Sequence, residues 1–85
     1  MTAEELTSAP AGTDVEETMK SLGFTPDFVA KNVMSVDGEI TVSQVAMLWM
    51  GMPNKHDRKR TRQLLDALTT AGLLLNTAED TYTRL

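Results

Sequence analysis

The sequence has no cysteine and a single histidine, His56, among its 85 residues. Disulfide bonds, thiolate metal sites and cysteine nucleophiles are therefore excluded, and a structural zinc site lacks its usual ligands. A catalytic role for His56 would need a nucleophile and an orienting acid, and no such set is evident. A glycine-rich phosphate loop is also missing. We therefore expect a protein that is not an enzyme and that binds no metal and no cofactor.

Long hydrophobic runs are missing as well, since no apolar stretch approaches the roughly 18–20 residues that span a bilayer. The N-terminal sequence MTAEELTSAPAGT carries acids where a signal peptide carries bases. We therefore expect no membrane association and a cytoplasmic location. With 41% hydrophobic and 24% charged residues, the composition is that of an ordinary globular protein, and the length allows one small domain.

Residues 1–13 are rich in Ala, Thr, Ser, Glu, Pro and Gly without periodicity, which predicts a flexible tail before a domain over residues 14–85. Apolar spacing, helix caps and turn residues predict the elements of that domain. They are helices over 14–22 and 26–35, a strand over 39–41, a helix over 42–50, a helix from Asp57 or Arg58 to Ala71, and two strands within LLLNTAEDTYTRL. The expected fold class is mainly α with a C-terminal β-hairpin.

The helix that ends at Ala71 has the clearest two-sided pattern. Its apolar stripe, which predicts the buried face, consists of Thr61, Leu64, Leu65, Leu68 and Ala71. On a helical projection, the opposite face carries Lys59, Arg62, Gln63, Asp66 and Thr70, flanked by Arg58 and Arg60. One face of this helix is therefore expected in the core and the other in solvent.

Charge is distributed unevenly along the chain, whose formal net charge is -4. Five of the eight Lys and Arg residues fall between Lys55 and Arg62, where the balance is +4. Residues 1–54 balance at -6, and residues 63–85 balance at -2. Positive charge at a helix N-terminus opposes the helix macrodipole, so this placement has no evident folding rationale. The sequence therefore predicts one basic patch on an acidic body.

From Pro26 onward, about two-thirds of the chain resembles the winged helix-turn-helix superfamily. The segments that carry the resemblance are ITVSQVAML, RQLLDALTTAGLLL and TYTRL. In that superfamily a helix ending in L-x-x-L-x-x-x-G-L is the recognition helix, and those positions here are Leu65, Leu68, Gly72 and Leu73. The resemblance implies a winged helix in which the hairpin is the wing. The loop GMPNKHD is longer than the connection usual in that superfamily.

The resemblance and the basic patch together predict a small non-enzymatic DNA-binding protein, which would regulate transcription or a plasmid- or phage-type DNA transaction. We expect the helix that starts near Arg58 to enter the major groove of double-stranded DNA. The predicted nucleic-acid-binding residues are Lys59, Arg62 and Gln63 on the groove side, Lys55, Arg58 and Arg60 beside the phosphates, and Arg84 on the hairpin. These residues do not distinguish DNA from RNA.

Helix 42–50 supports an alternative function. Six consecutive apolar residues, Val45 to Met50, cover almost every side of it. A helix that is apolar all round must be covered by the domain core or by a partner. The alternative is therefore a protein-interaction or homodimerisation module, whose interface residues are Met47, Trp49, Met50 and Met52. LLDALTTAGLL followed by TYTRL also resembles the dimerisation modules that precede small-molecule methyltransferase domains.

Overall fold

The computed structural model describes residues 15–84, which form four helices and three strands. In chain order these are α1 Val15–Leu22, α2 Pro26–Asn32, β1 Ile40–Thr41, α3 Val42–Met50, α4 Lys55–Thr70, β2 Leu74–Ala78 and β3 Thr81–Arg84. The flexible tail predicted for residues 1–13 lies outside the described residues. The predicted helices, short strand and hairpin are all present, and together they form a mixed α/β fold with a three-stranded antiparallel sheet.

Short-range hydrogen bonds determine where α2 and α3 begin. The Thr25 hydroxyl accepts a hydrogen bond from the Phe28 amide at 3.2 Å, and Pro26 takes the first helical position. Thr41 and Gln44 form the predicted capping box, in which each side chain accepts from the backbone amide of the other, at 3.1 and 3.3 Å. Both predicted helix starts are therefore confirmed.

The end of α2 differs from the prediction, because the helix stops at Asn32 and does not continue to residue 35. The Met34 amide donates to the Val29 carbonyl at 3.0 Å, and the Ser35 hydroxyl donates to the Ala30 carbonyl at 2.7 Å. The Met34 amide reaches five residues back instead of four, so the backbone has left the α-helical pattern at Met34, and the Ser35 side chain satisfies the Ala30 carbonyl. Residues 32–36, NVMSV, include no glycine or proline that would predict the end of the helix.

The sheet has the strand order β1–β3–β2 and joins the start of α3 to the C-terminal hairpin. β1 pairs with β3 through Ile40 opposite Tyr82. The two residues of the hairpin turn are Glu79 and Asp80. Asp80 has a φ of +55°, a left-handed conformation that Asp adopts more readily than most residues. Its carbonyl accepts from the Val42 amide at 3.1 Å, which fixes the turn against the first residue of α3.

The core is built around α4, which packs against α1, α3 and β2. Its predicted apolar stripe is buried, with Thr61, Leu64, Leu65 and Leu68 fully enclosed and Ala71 nearly so. The same hydrophobic cluster includes Met19 of α1, Val29 of α2, Val45 of α3 and Tyr82 of β3. Because one side of α4 fills the core, its other side faces solvent as predicted: Lys59, Arg62, Gln63, Asp66 and Thr70 are all exposed.

Candidate functional site

α4 begins at Lys55, before the start near Arg58 that the sequence predicted. The Asn54 side chain accepts from the Asp57 amide at 2.9 Å, and the Asp57 carboxylate accepts from the Asn54 amide at 3.0 Å. Because this capping box starts the helix at Lys55, the whole basic run is helical. The connection from α3 is therefore only Gly51–Asn54, so the long loop GMPNKHD is corrected to four residues. Asn followed by Asp three positions later was the sequence signal for this start.

Asp57 supplies negative charge in the first turn of α4. Only 4% of the residue surface is exposed, and its carboxylate also accepts from the Arg60 guanidinium at 2.9 Å. Hydrogen bonds from the Asn54 backbone and from Arg60 lower the pKa of the Asp57 carboxyl. A carboxylate at this position interacts favourably with the helix macrodipole. It therefore offsets part of the unfavourable effect of the neighbouring bases.

Arg60 lies against Trp49 and does not belong to the exposed basic face. Its guanidinium carbon is 4.9 Å from the centroid of the Trp49 ring, a cation–π distance. The Trp49 indole N–H donates to the Thr61 hydroxyl at 2.9 Å, and the indole ring lies 4.6 Å from that of Phe24. The structure thus places the predicted phosphate contact Arg60 and the predicted interface residue Trp49 together, where they join α3 to α4.

Arg62 is held by the hairpin turn. Its Nε and Nη2 atoms donate to the two carboxylate oxygens of Asp80 at 2.6 and 3.0 Å. This bidentate contact raises the pKa of Arg62 and lowers that of the Asp80 carboxyl. Arg62 therefore points to solvent from α4, as predicted, but its charge is already matched by an acid.

Asp66, the acid that follows Arg62 on the exposed face of α4, is engaged by β3. The Tyr82 hydroxyl donates to its carboxylate at 2.5 Å. The pKa of the Tyr82 phenol is raised mainly by its burial and, second, by this hydrogen bond. The hairpin is consequently bound to α4 at two points, through Tyr82 to Asp66 and through Asp80 to Arg62.

Arg84 lies at the base of the hairpin, opposite Leu74, and not at its turn. Its guanidinium donates to the Met34 carbonyl at 3.2 Å and to the Asp37 carboxylate at 2.6 Å. Arg84, predicted as a nucleic-acid contact on the hairpin, is therefore exposed but already paired with an acid. The guanidinium ties the end of β3 to the segment between α2 and β1.

Three bases of α4 remain exposed and form no ion pair within residues 15–84: Lys55, Arg58 and Lys59. Together with His56 and Arg62 they line an open concavity of about 670 Å³, which we call the basic cleft. No acidic side chain lines the cleft among the residues described. Gln63 is exposed on the same helix.

A second exposed feature lies on α3 and the loop after it. The exposed fractions of the residues concerned are 61% for Met47, 57% for Leu48, 42% for Met50 and 93% for Met52. We call these four residues the α3 apolar face. It contains three of the predicted interface residues, Met47, Met50 and Met52, and also Leu48, which was not among them. The fourth predicted interface residue, Trp49, is half-buried. The sequence of α3, VSQVAMLWM, contains no charged residue.

Residues 15–84 contain neither a membrane-spanning helix nor a cluster of metal-binding side chains. No helix there is long and apolar enough to cross a membrane. No group of three or more His, Asp or Glu side chains in that part of the chain is arranged to hold a metal ion. Comparisons of the chain with protein-family models, curated proteins and solved structures gave no match.

Proposed function

We propose that the protein is a winged helix that binds double-stranded DNA through the basic cleft, as a small regulator of transcription or of a plasmid- or phage-type DNA transaction. The element order from α2 to β3 supports the winged-helix interpretation, since a short strand precedes two helices and a hairpin follows them. β1 pairs with the hairpin, which holds α3, α4 and the proposed wing together as one unit. The cytoplasmic location expected from the sequence fits this function.

The observation that carries the proposal is the exposure of Lys55, Arg58 and Lys59 on one side of α4, in a protein that is acidic elsewhere. An α-helix fits the major groove of B-DNA, and the N-terminal part of a recognition helix commonly lies nearest the bases. Bases at that end can neutralise phosphates and release the counterions that surround them. Gln63, one to two turns further on, is placed to reach a base edge.

The proposed contact surface is smaller than the sequence predicted. Arg60 is engaged by Trp49 and Asp57, and Arg84 is engaged at the far end of the hairpin. The hairpin turn itself carries two acids, Glu79 and Asp80. We therefore assign the phosphate contacts to α4 alone, with the hairpin acting as a support for that helix.

The test is a titration of labelled duplex DNA at salt concentrations of about 50 and about 200 mM. Three phosphate contacts predict a slope of about -2.7 in log K against log salt, and hence a loss of affinity of about 40-fold between the two conditions. Arg58→Gln with Lys59→Gln should reduce the slope to about -0.9 and weaken binding at low salt by at least about tenfold.

The matched control removes two bases elsewhere, through Lys20→Gln with Lys31→Gln. These lysines lie on α1 and α2, outside the basic cleft, so the control should change affinity by less than about twofold. Equal effects of the two double variants would show that net charge alone is responsible. Absence of salt-dependent binding by the unmodified protein would remove the proposal.

A second candidate function is homodimerisation through the α3 apolar face. Four neighbouring large apolar residues, each at least 42% exposed, are an unusual feature for so small a domain. A two-fold interface places the same surface on both subunits, so any charge on it faces its own copy. The absence of charge on α3 therefore suits a second copy of this chain, and such a dimer would present two α4 helices.

A further inference from the structure

The contact between Arg62 and Asp80 bears directly on how strongly the basic cleft can attract DNA. The two side chains make a bidentate pair, with nitrogen–oxygen distances of 2.6 and 3.0 Å. Arg62 nevertheless lines the basic cleft beside Lys55, Arg58 and Lys59. It is the one lining base whose charge an acid already neutralises among the described residues.

Asp80 is held in position independently of its side chain. Its carbonyl accepts from the Val42 amide at 3.1 Å, and its positive φ belongs to the two-residue turn between β2 and β3. Arg62 projects from α4, which is fixed by its buried stripe. The backbones of both residues are therefore fixed by the fold, so forming the bidentate pair requires only the ordering of the two side chains.

We propose that Asp80 is an affinity-determining residue of the basic cleft, where it occupies Arg62 and keeps that base from contacting phosphate. This inference rests on the proposed DNA-binding function. The pair presents no net charge to an approaching duplex. A phosphate that binds Arg62 must displace the Asp80 carboxylate or accept its repulsion, so the unmodified protein binds DNA without a contact from Arg62.

Removal of the Asp80 carboxylate should release Arg62 and add one phosphate contact. Asp80→Asn is expected to bind labelled duplex DNA more tightly than the unmodified protein. The gain should shrink about 3.5-fold between about 50 and about 200 mM salt, because one extra contact changes the salt slope by about -0.9. Asn and Gly both tolerate a positive φ, so Asp80→Gly provides a second variant that keeps the turn and should show the same gain.

Glu79→Gln is the matched control, because it removes the same charge from the adjacent turn residue. The Glu79 side chain makes no hydrogen bond to Arg62 among the described contacts, so its removal acts only through distance-dependent charge. Its effect on affinity should be clearly smaller than that of Asp80→Asn. Equal effects would overturn the inference, because net charge would then explain both.

A double-mutant cycle gives the decisive comparison. Arg62→Gln alone should weaken binding, since it leaves the Asp80 carboxylate unpaired beside the duplex. Arg62→Gln with Asp80→Asn removes a neutral unit and should return affinity to within about twofold of the unmodified protein. If the double variant stays as weak as Arg62→Gln, Arg62 contacts DNA directly and the inference is wrong, while the proposed function stands. If the unmodified protein shows no salt-dependent binding, both fall together.

Discussion

Each base in the run from Lys55 to Arg62 has its own surroundings, which decide what it can contact. Arg60 stacks on Trp49. The indole of Trp49 also donates a hydrogen bond to Thr61, which lies twelve positions later in the chain. Arg62 is paired with Asp80 across the hairpin turn. Only the remaining three bases face solvent without an ion pair in the described part of the chain. Of the five bases in this run, three are therefore exposed without an ion pair within residues 15–84.

Asp57 should make the stability of the domain depend on pH in a defined direction. Its carboxyl has a lowered pKa in the folded protein, so the ionised form stabilises the fold at neutral pH. That contribution is complete above the unfolded pKa near 4 and is lost as the pH falls through the lower folded value. Asp57→Asn should lower the melting temperature by several degrees at neutral pH, and the difference from the unmodified protein should shrink below about pH 4.

Thermal unfolding followed by circular dichroism at several pH values measures this difference. Glu39→Gln is the control, since Glu39 is an exposed acid just before β1. A melting-temperature difference for Asp57→Asn that stays constant from neutral to low pH would contradict the role assigned to the carboxylate.

In α4, one capping residue determines how much of the basic run is helical. Because Asn54 caps the helix, Lys55 belongs to its first turn and lies on the same face as Arg58 and Lys59. A helix starting near Arg58 would leave Lys55 in a loop. The capping box therefore decides whether the cleft holds three exposed bases without an ion pair among the described residues, or two.

Asn54→Ala should destabilise the domain by about 1 kcal/mol, because it removes the acceptor for the Asp57 amide. In a domain of this size that corresponds to a fall in melting temperature of roughly 4–8 °C. Asn54→Ser should restore most of the stability, since Ser is an equally good N-cap residue. His56→Ala, at an exposed neighbour, serves as the control. Unchanged stability of Asn54→Ala in urea and thermal unfolding would contradict the observed helix start.

Viewed as a whole, the molecule carries two distinct exposed surfaces, the basic cleft on α4 and the α3 apolar face. α3 packs against α4, so a dimer through α3 would set the spacing of two clefts. The described residues otherwise bury their large apolar side chains well, with Leu75 as the one large exposed hydrophobic outside the α3 apolar face. That residue provides a natural comparison for the dimer hypothesis.

Sedimentation velocity over a range of concentrations tests whether the α3 apolar face joins two copies. The unmodified protein should shift from monomer toward dimer as concentration rises. Met47→Glu should remain monomeric, because a two-fold interface would bring the introduced charge close to its own copy. Leu75→Glu adds the same charge at an exposed apolar site on β2 and should associate like the unmodified protein. A monomer at all concentrations would show the dimer hypothesis to be wrong.

Most of the architecture was predictable from patterns that span a few residues. The stripe of Leu64, Leu65 and Leu68 indicated the buried face of α4, and Thr41 with Gln44 indicated the start of α3. The exposed side of α3 was not predictable in the same way. Only Ser43 and Gln44, one turn before Met47 and Leu48, mark its exposed side, and packing against α4 and the sheet left the apolar residues of that side in solvent.

Local chemistry was enough to place the helices, the turn and the basic run, because caps, periodicity and turn preferences act between residues four or fewer positions apart. Which acid each arginine pairs with depended on tertiary packing. Arg62 meets Asp80 across 18 positions and Arg84 meets Asp37 across 47. No spacing rule relates residues so far apart, since their meeting follows from the folding of the hairpin onto α4 and of the sheet onto the α2–β1 segment. Which bases carry an ion pair was therefore determined by the tertiary structure.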